Sequence, residues 1–423
     1  MRLVRAGLAA SAFDRLWSEL EPIGRDPATG GYRRFAYEAA ELACREWFTS
    51  TAVDAGLDAT ADRNGNLWAW WHPDGCDRSA PALVVGSHLD SVPDGGAFDG
   101  PLGVVSAFAA IDDLRAAGWQ PDRPVAIVAF ADEEGAPYGI ACAGSRLLTG
   151  GLDPERARGL RGRDGRTMAQ AMAAAGHDPT GLGRDDGLLA RIGCYVELHV
   201  EQGRALVDLG SPVGVASSIW PHGRYRFDFG GEANHAGTTR MPDRRDPMIA
   251  YATTALAAQS AALASDARAT FGRLEVEPNG TNAIPSRIRA WLDARAADDQ
   301  ALLMLVEAIE GAAQGASRAN GTCVEVTPES VSGATVFDAD LATRVGSAAA
   351  TALDGACIPI LPTGAGHDAG ILSLAGIPAA MLFVRNPTGV SHAPDEFAEQ
   401  ADCHAGVRAL AGVMRDLARG GIA

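Results

Sequence analysis

Ala82-Leu83-Val84-Val85-Gly86-Ser87-His88-Leu89-Asp90-Ser91-Val92-Pro93-Asp94-Gly95-Gly96-Ala97-Phe98-Asp99-Gly100 is a short apolar run that breaks into histidine, aspartate and glycine. A run of this length, rich in Val and Leu and closed by a Gly- and Asp-containing turn, reads as a buried parallel strand. Three other runs repeat the pattern. Val125–Phe130 ends in Ala131-Asp132-Glu133-Glu134-Gly135. Residues 195–198, less apolar because of Glu197, end in His199-Val200-Glu201-Gln202-Gly203. Residues 380–384 lead through a turn to Ser391-His392-Ala393-Pro394-Asp395-Glu396. In open α/β sheets ligands collect outside the carboxyl ends of the strands. Three histidines, Asp99 and a pair of glutamates gathered there make a divalent-metal site, and a shared Asp99 makes it a two-metal site.

Between these runs lie Ala-rich helical stretches such as 104–117, an alternation that predicts right-handed βαβ crossovers and a mostly parallel sheet. Before them, 35–49 is helical in pattern, and Asn64-Gly65-Asn66 turns into Leu67–Trp71. The character changes near Gly210-Ser211-Pro212. Residues 224–229 and parts of Arg287–Arg295 alternate polar and apolar, and 298–316 and Pro247–Ala264 are Ala-rich. These imply a small α+β domain with a half-exposed antiparallel sheet. The fold class expected is α/β, with a catalytic domain at 1–212 and 333–423 and an inserted smaller α+β lid or dimerisation domain at 213–332.

A length of 423 residues, 47% hydrophobic content and 21% charge suit a globular chain with a sizeable core. The net charge of −17 argues against nucleic acid and anionic membrane surfaces as partners. No run approaches the ~18 apolar residues of a membrane span. Residues 1–10 are briefly basic and apolar but too short for a signal peptide. Every one of the 36 basic residues is arginine, which excludes a Schiff-base lysine, a pyridoxal-phosphate anchor and a P-loop lysine. The seven scattered cysteines form no C-x-x-C pair and imply reduced thiols and a cytoplasmic location. Cys142, near Glu133 and Glu134, reads as a small buried filler rather than a nucleophile.

His88-x-Asp90 sets two polar side chains on one side of an extended segment, so His88 can ligate while Asp90 holds its other ring nitrogen. The Pro- and Gly-rich loop that follows can fold Asp99 back toward His88; a turn with ordinary surface aspartates is the alternative. Glu133 and Glu134 point in different directions, one to ligate and one to take a proton from water. His199 alternates with Glu197 and Glu201, and His392 sits in a Ser-His-Ala-Pro loop. Gly364-Ala365-Gly366-His367 lines a pocket or packs a helical turn.

Together with Asn234-His235-Ala236-Gly237-Thr238-Thr239, these motifs resemble the M20-type metallohydrolases. They resemble in particular the branch of N-carbamoyl-L-amino-acid hydrolases, ureidopropionases and allantoate amidohydrolases. The resemblance runs from about residue 60 to the C-terminus. It implies two divalent ions per subunit, zinc, manganese, cobalt or nickel, one on His88, Asp99 and His199 and the other on Asp99, Glu134 and His392. It also implies Glu133 as general base and His235 as oxyanion donor, with Asp90, the partner of His88, counted among the catalytic residues. Asn282 and Arg295 are implied as binders of the substrate carboxylate, with Gln202, Gly364 and His367 also facing the substrate. The partners implied are a small ureido acid and a second copy of the chain joined through the inserted domain. The expected reaction releases ammonia and carbon dioxide from an N-carbamoyl-L-amino acid. Alternatives are allantoate or 3-ureidopropionate as substrate, a dipeptidase or acyl-amino-acid deacylase, and a metal-free binding protein on the same scaffold. Arg240 stands where the family has proline, so this loop is expected to bend differently or to present a charge. Trp220-Pro221-His222-Gly223 is also unlike the family's usual lid opening.

Overall fold

The computed structural model describes residues 11–419; the N-terminal stretch at 1–10 lies outside them. The chain divides into two compact units, Ser218–Thr335 and the remainder. Six strands begin before the division: Asp58–Ala61 (β1), Leu67–Trp71 (β2), Ala82–His88 (β3), Val125–Phe130 (β4), Ile192–Val200 (β5) and Val213–Ile219 (β6), whose last residues cross it. The small unit holds His222–Gly230 (β7), Asn234–His235 (β8), Arg268–Glu277 (β9), Ala283–Ile284 (β10), Arg287–Arg295 (β11) and Cys323–Ser332 (β12). Then come Thr335–Val336 (β13), Ile360–Thr363 (β14) and Ala379–Val384 (β15).

The large sheet runs β1-β2-β4-β3-β5-β15-β6-β13, with β14 beside β6. Its centre, β4-β3-β5-β15, is parallel. The flanking pairs of β2 with β4 and β6 with β15 are antiparallel. Every residue of β3, β4 and β15 is buried, which explains their unbroken apolar sequence. Register decides the site. His88 lies opposite Phe130, and Val200 opposite Val384, so the four segments after these strands leave the sheet at one edge. The helix expected at 104–117 is Pro101–Ala116, because Pro101 presets the first turn behind Gly100. That helix and Gln400–Leu417 pack into one core cluster with Leu83, Val85, Val196 and Leu382. Val213, where the sequence suggested the small domain begins, instead opens β6, whose pairing with β15 keeps it in the large sheet.

The small unit is a four-stranded antiparallel sheet, β12-β7-β11-β9, with β8 and β10 forming a separate ribbon. Phe227, Phe229, Ile288, Ala290 and Leu292 face the helices Pro247–Ala264 and Asp299–Ala319. The opposite face is an arginine network around one carboxylate. Asp228 accepts from Arg226 at 2.8 Å, Arg287 at 2.6 Å and Arg289 at 3.2 Å. Arg289 is its cross-strand neighbour. Partial burial raises the Asp228 pKa, but the three guanidiniums outweigh it and hold it at about 2.

Asp228→Asn is therefore expected to destabilise the small unit near neutrality by roughly 1 kcal/mol, allowing for solvent screening of a partly exposed network. The folded pKa lies below the ordinary 3.8, so the wild-type advantage is full above that value and fades as pH falls toward about 2. Urea melts of both proteins across an acid series would show the gap closing; a gap that stays constant on acidification refutes the clamp.

Candidate metal centre

Asp99 sits at the meeting point of three histidines. Its Oδ1 is 3.5 Å from His88 Nε2 and 3.2 Å from His199 Nε2, and its Oδ2 is 3.4 Å from His392 Nε2. His392 Nε2 is also 3.5 Å from Glu134 Oε2. Two triads result, His88-Asp99-His199 and Asp99-Glu134-His392, each with its ligand atoms within 4.8 Å of one another. These are the two sets that the family resemblance implied.

The donor chemistry fits divalent cations. His199 Nδ1 lies 2.9 Å from the Val200 carbonyl, and His88 Nδ1 lies 3.2 Å from the Asp90 carbonyl. A carbonyl only accepts, so each ring keeps a proton on Nδ1 and turns Nε2 to Asp99, as a donor when the ring is protonated and as a lone pair once a cation takes that proton's place. Both Nε2 atoms are buried, without a hydrogen-bond partner among the described residues, and aim at Asp99. The cluster also attracts positive charge. The bond to Asp99 raises His392 to about 9. Burial, followed by repulsion from Asp99, raises Glu134 to about 7. A cation would replace those protons.

Each ligand has a local cause. Gly100 is left-handed at φ +87°, and a Cβ there would lie 2.4 Å from the His88 ring. Only glycine lets the loop turn Asp99 back over the histidine. Asp132, at φ 53°, turns the chain after β4 so that Glu133 and Glu134 diverge. Asp90 fixes that turn: its Oδ1 accepts the Glu133 amide at 3.1 Å and its Oδ2 the Glu134 amide at 3.0 Å. The nearer oxygen to His88 Nδ1 is thus the Asp90 backbone carbonyl, and the carboxylate, 3.5 Å away, serves mainly the glutamate loop. Glu133 Oε2 is 3.8 Å from His88 Nε2, while its Oε1 accepts from the Cys142 thiol at 3.3 Å. Burial pushes the Glu133 carboxyl well above the usual range, against the pull of His88.

Gln202 donates to Asp99 Oδ2 at 2.7 Å, so its amide belongs to the cluster itself. His367 is buried, its ring centroid is 4.5 Å from that of His199, and neither of its nitrogens has a hydrogen-bond partner among the described residues. Burial and then His199 hold its pKa well below the ordinary histidine value, so the ring is neutral. Gly364 lies in the turn between β14 and the helix Asp368–Leu374. Several roles carried no signal in the sequence. Glu197 joins β3 and the helix Asp368–Leu374 by accepting from Ser87 Oγ at 2.8 Å and the Ala369 amide at 3.0 Å. Glu396 accepts from the amides of Phe98 and Asp99. Alternation along β5 marks Glu197 as a neighbour of His199, but contacts between distant segments leave no local pattern.

Other expected residues lie in the small unit. His235 Nδ1 accepts the amides of Gly237 at 3.0 Å and Thr238 at 3.2 Å, which puts its proton on an exposed Nε2. The Ala236 amide donates to the Asn282 carbonyl, so the β8–β10 ribbon holds His235 beside Asn282. Arg295 lies opposite His222 at the other end of the sheet and grips Asp293 at 2.8 and 3.2 Å. The structure does not bring Arg295 to His235 within one chain. Arg240 has φ −62°, the value a proline would impose, and its guanidinium pairs with Asp243. The loop therefore keeps a proline-like backbone, contrary to the altered bend expected from the sequence.

The model of peptidase family M20/M25/M40 matches residues 84–416. An N-carbamoyl-L-amino acid amidohydrolase of Geobacillus stearothermophilus is 36% identical over 96% of this chain and 99% of its own. An allantoate amidohydrolase of Escherichia coli is 30% identical over 94% and 96%. The solved hydantoinase/carbamoylase-family amidase of Burkholderia multivorans superposes with a TM-score of 0.84 at 29% identity, covering 97% of this chain and 98% of that one.

Asp99 belongs to both triads and His392 to one. Dialysed Asp99→Ala is expected to retain no tightly bound manganese, and His392→Ala about one ion per subunit. Elemental analysis of the folded variants reads the count; equal retention in both variants contradicts a shared carboxylate.

Proposed function

From the premise that this chain belongs to peptidase family M20/M25/M40, in its amidohydrolase branch, we propose that it cleaves the ureido C–N bond of an N-carbamoyl-L-amino acid. The observation that carries the reading is the buried Glu133 carboxyl beside two triads sharing Asp99. Two divalent ions, from the set zinc, manganese, cobalt and nickel, would be held by His88, Asp99 and His199 and by Asp99, Glu134 and His392. Such ions acidify water and polarise a carbonyl.

The chain's own residues do the rest. Glu133 takes a proton from the attacking water and returns it to the leaving nitrogen, a double role that suits a carboxyl of raised pKa. Asp90 keeps that carboxyl aimed by holding its backbone amide. His235 offers its Nε2–H to the developing oxyanion, and one such donor is typically worth about 3 kcal/mol. Arg295 and Asn282 bind the substrate carboxylate, Arg295 by exchanging Asp293 for it, a bidentate geometry that lysine lacks. Gln202, Gly364 and His367 line the remainder. Water adds to the ureido carbonyl, the bond to the terminal nitrogen breaks to release ammonia, and the carbamate left on the amino acid loses carbon dioxide.

Two subunits complete each site in this reading. His235 and Asn282 lie beyond the Arg287 end of β11, and Arg295 closes the other end, about 26 Å away along the strand. One lid cannot bring both ends to one small substrate. The helix Pro247–Ala264 also exposes Ile249, Leu256 and Leu263 at seven-residue intervals beside β9, an edge strand of the small sheet. An apolar stripe next to an open edge suits a twofold contact. Free cysteines at all seven positions agree with a cytoplasmic location. Among the described residues no helix is long and apolar enough to cross a membrane.

Ammonia release from N-carbamoyl-L-amino acids, allantoate, 3-ureidopropionate and a dipeptide, with and without chelator, tests the activity. Chelator-sensitive release from a carbamoyl amino acid is expected. Preference for allantoate, the substrate named for the Escherichia coli relative, would move the assignment to that acid. Silence on every ureido acid would reject the reading. His235→Ala and Arg295→Ala should each abolish turnover with metal content intact. Mixing and refolding the two should restore about a quarter of wild-type activity, since half the dimers are hybrid and each hybrid has one intact site. No recovery from a mixture shown to contain hybrids contradicts a site shared between subunits.

A further inference from the structure

We propose that Glu396 is a positioning residue that locks two ligand loops together and thereby sets the affinity of the Asp99-Glu134-His392 triad for its cation. The proposal rests on the two-metal reading above. Glu396 is 4% exposed. Its Oε1 accepts two successive amides, Phe98 and Asp99, each at 2.9 Å. Its Oε2 accepts the Ser391 hydroxyl at 3.2 Å, and that hydroxyl also lies 3.3 Å from Asp99 Oδ2. One carboxylate therefore spans the loop carrying Asp99 and the loop carrying His392. Gly96 leaves the space for it: a Cβ there would stand 2.2 Å from Glu396 Oε1 and 2.4 Å from Glu396 Cβ.

The two triads depend on this clamp unequally. His88 and His199 lie in strands β3 and β5, are fully buried, and have their rings set by backbone carbonyls that Glu396 does not touch. His392 is on a loop, half-exposed, at a left-handed φ of 56°. Without Glu396, the first triad keeps two fixed ligands and needs only Asp99 to settle. The second must order Asp99 and His392 from two untied loops. Loss of an outer partner of this kind typically lowers metal affinity 10–100-fold.

Calorimetric titration of the metal-free full-length protein with manganese(II) chloride tests the idea. Wild type is expected to take two ions per subunit. Glu396→Ala should keep the tighter site near wild-type affinity and weaken the other by roughly 10–100-fold. Glu396→Gln, which keeps one oxygen for the two amides, should fall close to wild type. A merely structural role would lower the melting temperature and leave the two affinities of the folded protein unchanged or reduced together. Either of those outcomes overturns the proposal. If Glu396→Ala fails to fold, Gly96→Ala decides, since it expels the carboxylate while keeping its charge: selective weakening of one site supports the clamp, and two unaltered sites reject it. Wild type binding a single ion would instead refute the two-metal reading.

Discussion

One buried negative charge organises this molecule. Asp99 lies within 3.5 Å of three imidazoles contributed by β3, β5 and the loop after β15. Burial pushes its carboxyl up, and the histidines, led by His199, overcome that and hold it well below the usual range. An ionised group at that depth is tolerated only with positive charge close by. The parallel register of β4-β3-β5-β15 serves that need, since it delivers the partners to a single sheet edge.

Around Asp99 the same device recurs. Acidic side chains act as acceptors for backbone amides and so pin loops and the first turns of short helices. Asp90 holds Glu133 and Glu134; Glu396 holds Phe98 and Asp99; Glu201 holds Ala205 and Leu206; Glu197 holds Ala369. Charged acceptors make stronger hydrogen bonds than neutral ones. A chain of net charge −17 thus uses part of its acidity to fix its functional loops.

The strand-end histidines were legible in the sequence because the apolar runs are local and each breaks into polar residues at the same point. The small sheet was legible for the same reason: Phe227 and Phe229 face the helices while Arg226 and Asp228 face away. Glu396 and Cys142 were not. Their partners lie 297 residues away in one case and across a left-handed turn in the other, and no periodicity encodes either contact. Arg240 shows the converse. Identity alone suggested a changed backbone, yet arginine adopts φ −62° at no cost, so only the charge is new, and Asp243 meets it. The edge of the small unit was also hidden, because β6 alternates no differently from a lid strand and only its pairing with β15 assigns it to the large sheet.

The small unit orders His235 and Asn282 by itself. Amides of its own loop fix the His235 tautomer, and the β8–β10 ribbon fixes the distance to Asn282. Nothing in the metal cluster is required for either. Arg295, by contrast, rests against Asp293, an arrangement that stores the guanidinium in the geometry a carboxylate ligand would demand. In the function proposed above, a substrate carboxylate would substitute for one already present, so the arginine would not have to be desolvated afresh on binding. The cost in that reading would be competition from Asp293, against any acid unable to match its bidentate reach. In that reading, selection for the α-carboxylate is prepared within the small unit before substrate arrives, by the Arg295–Asp293 pair alone.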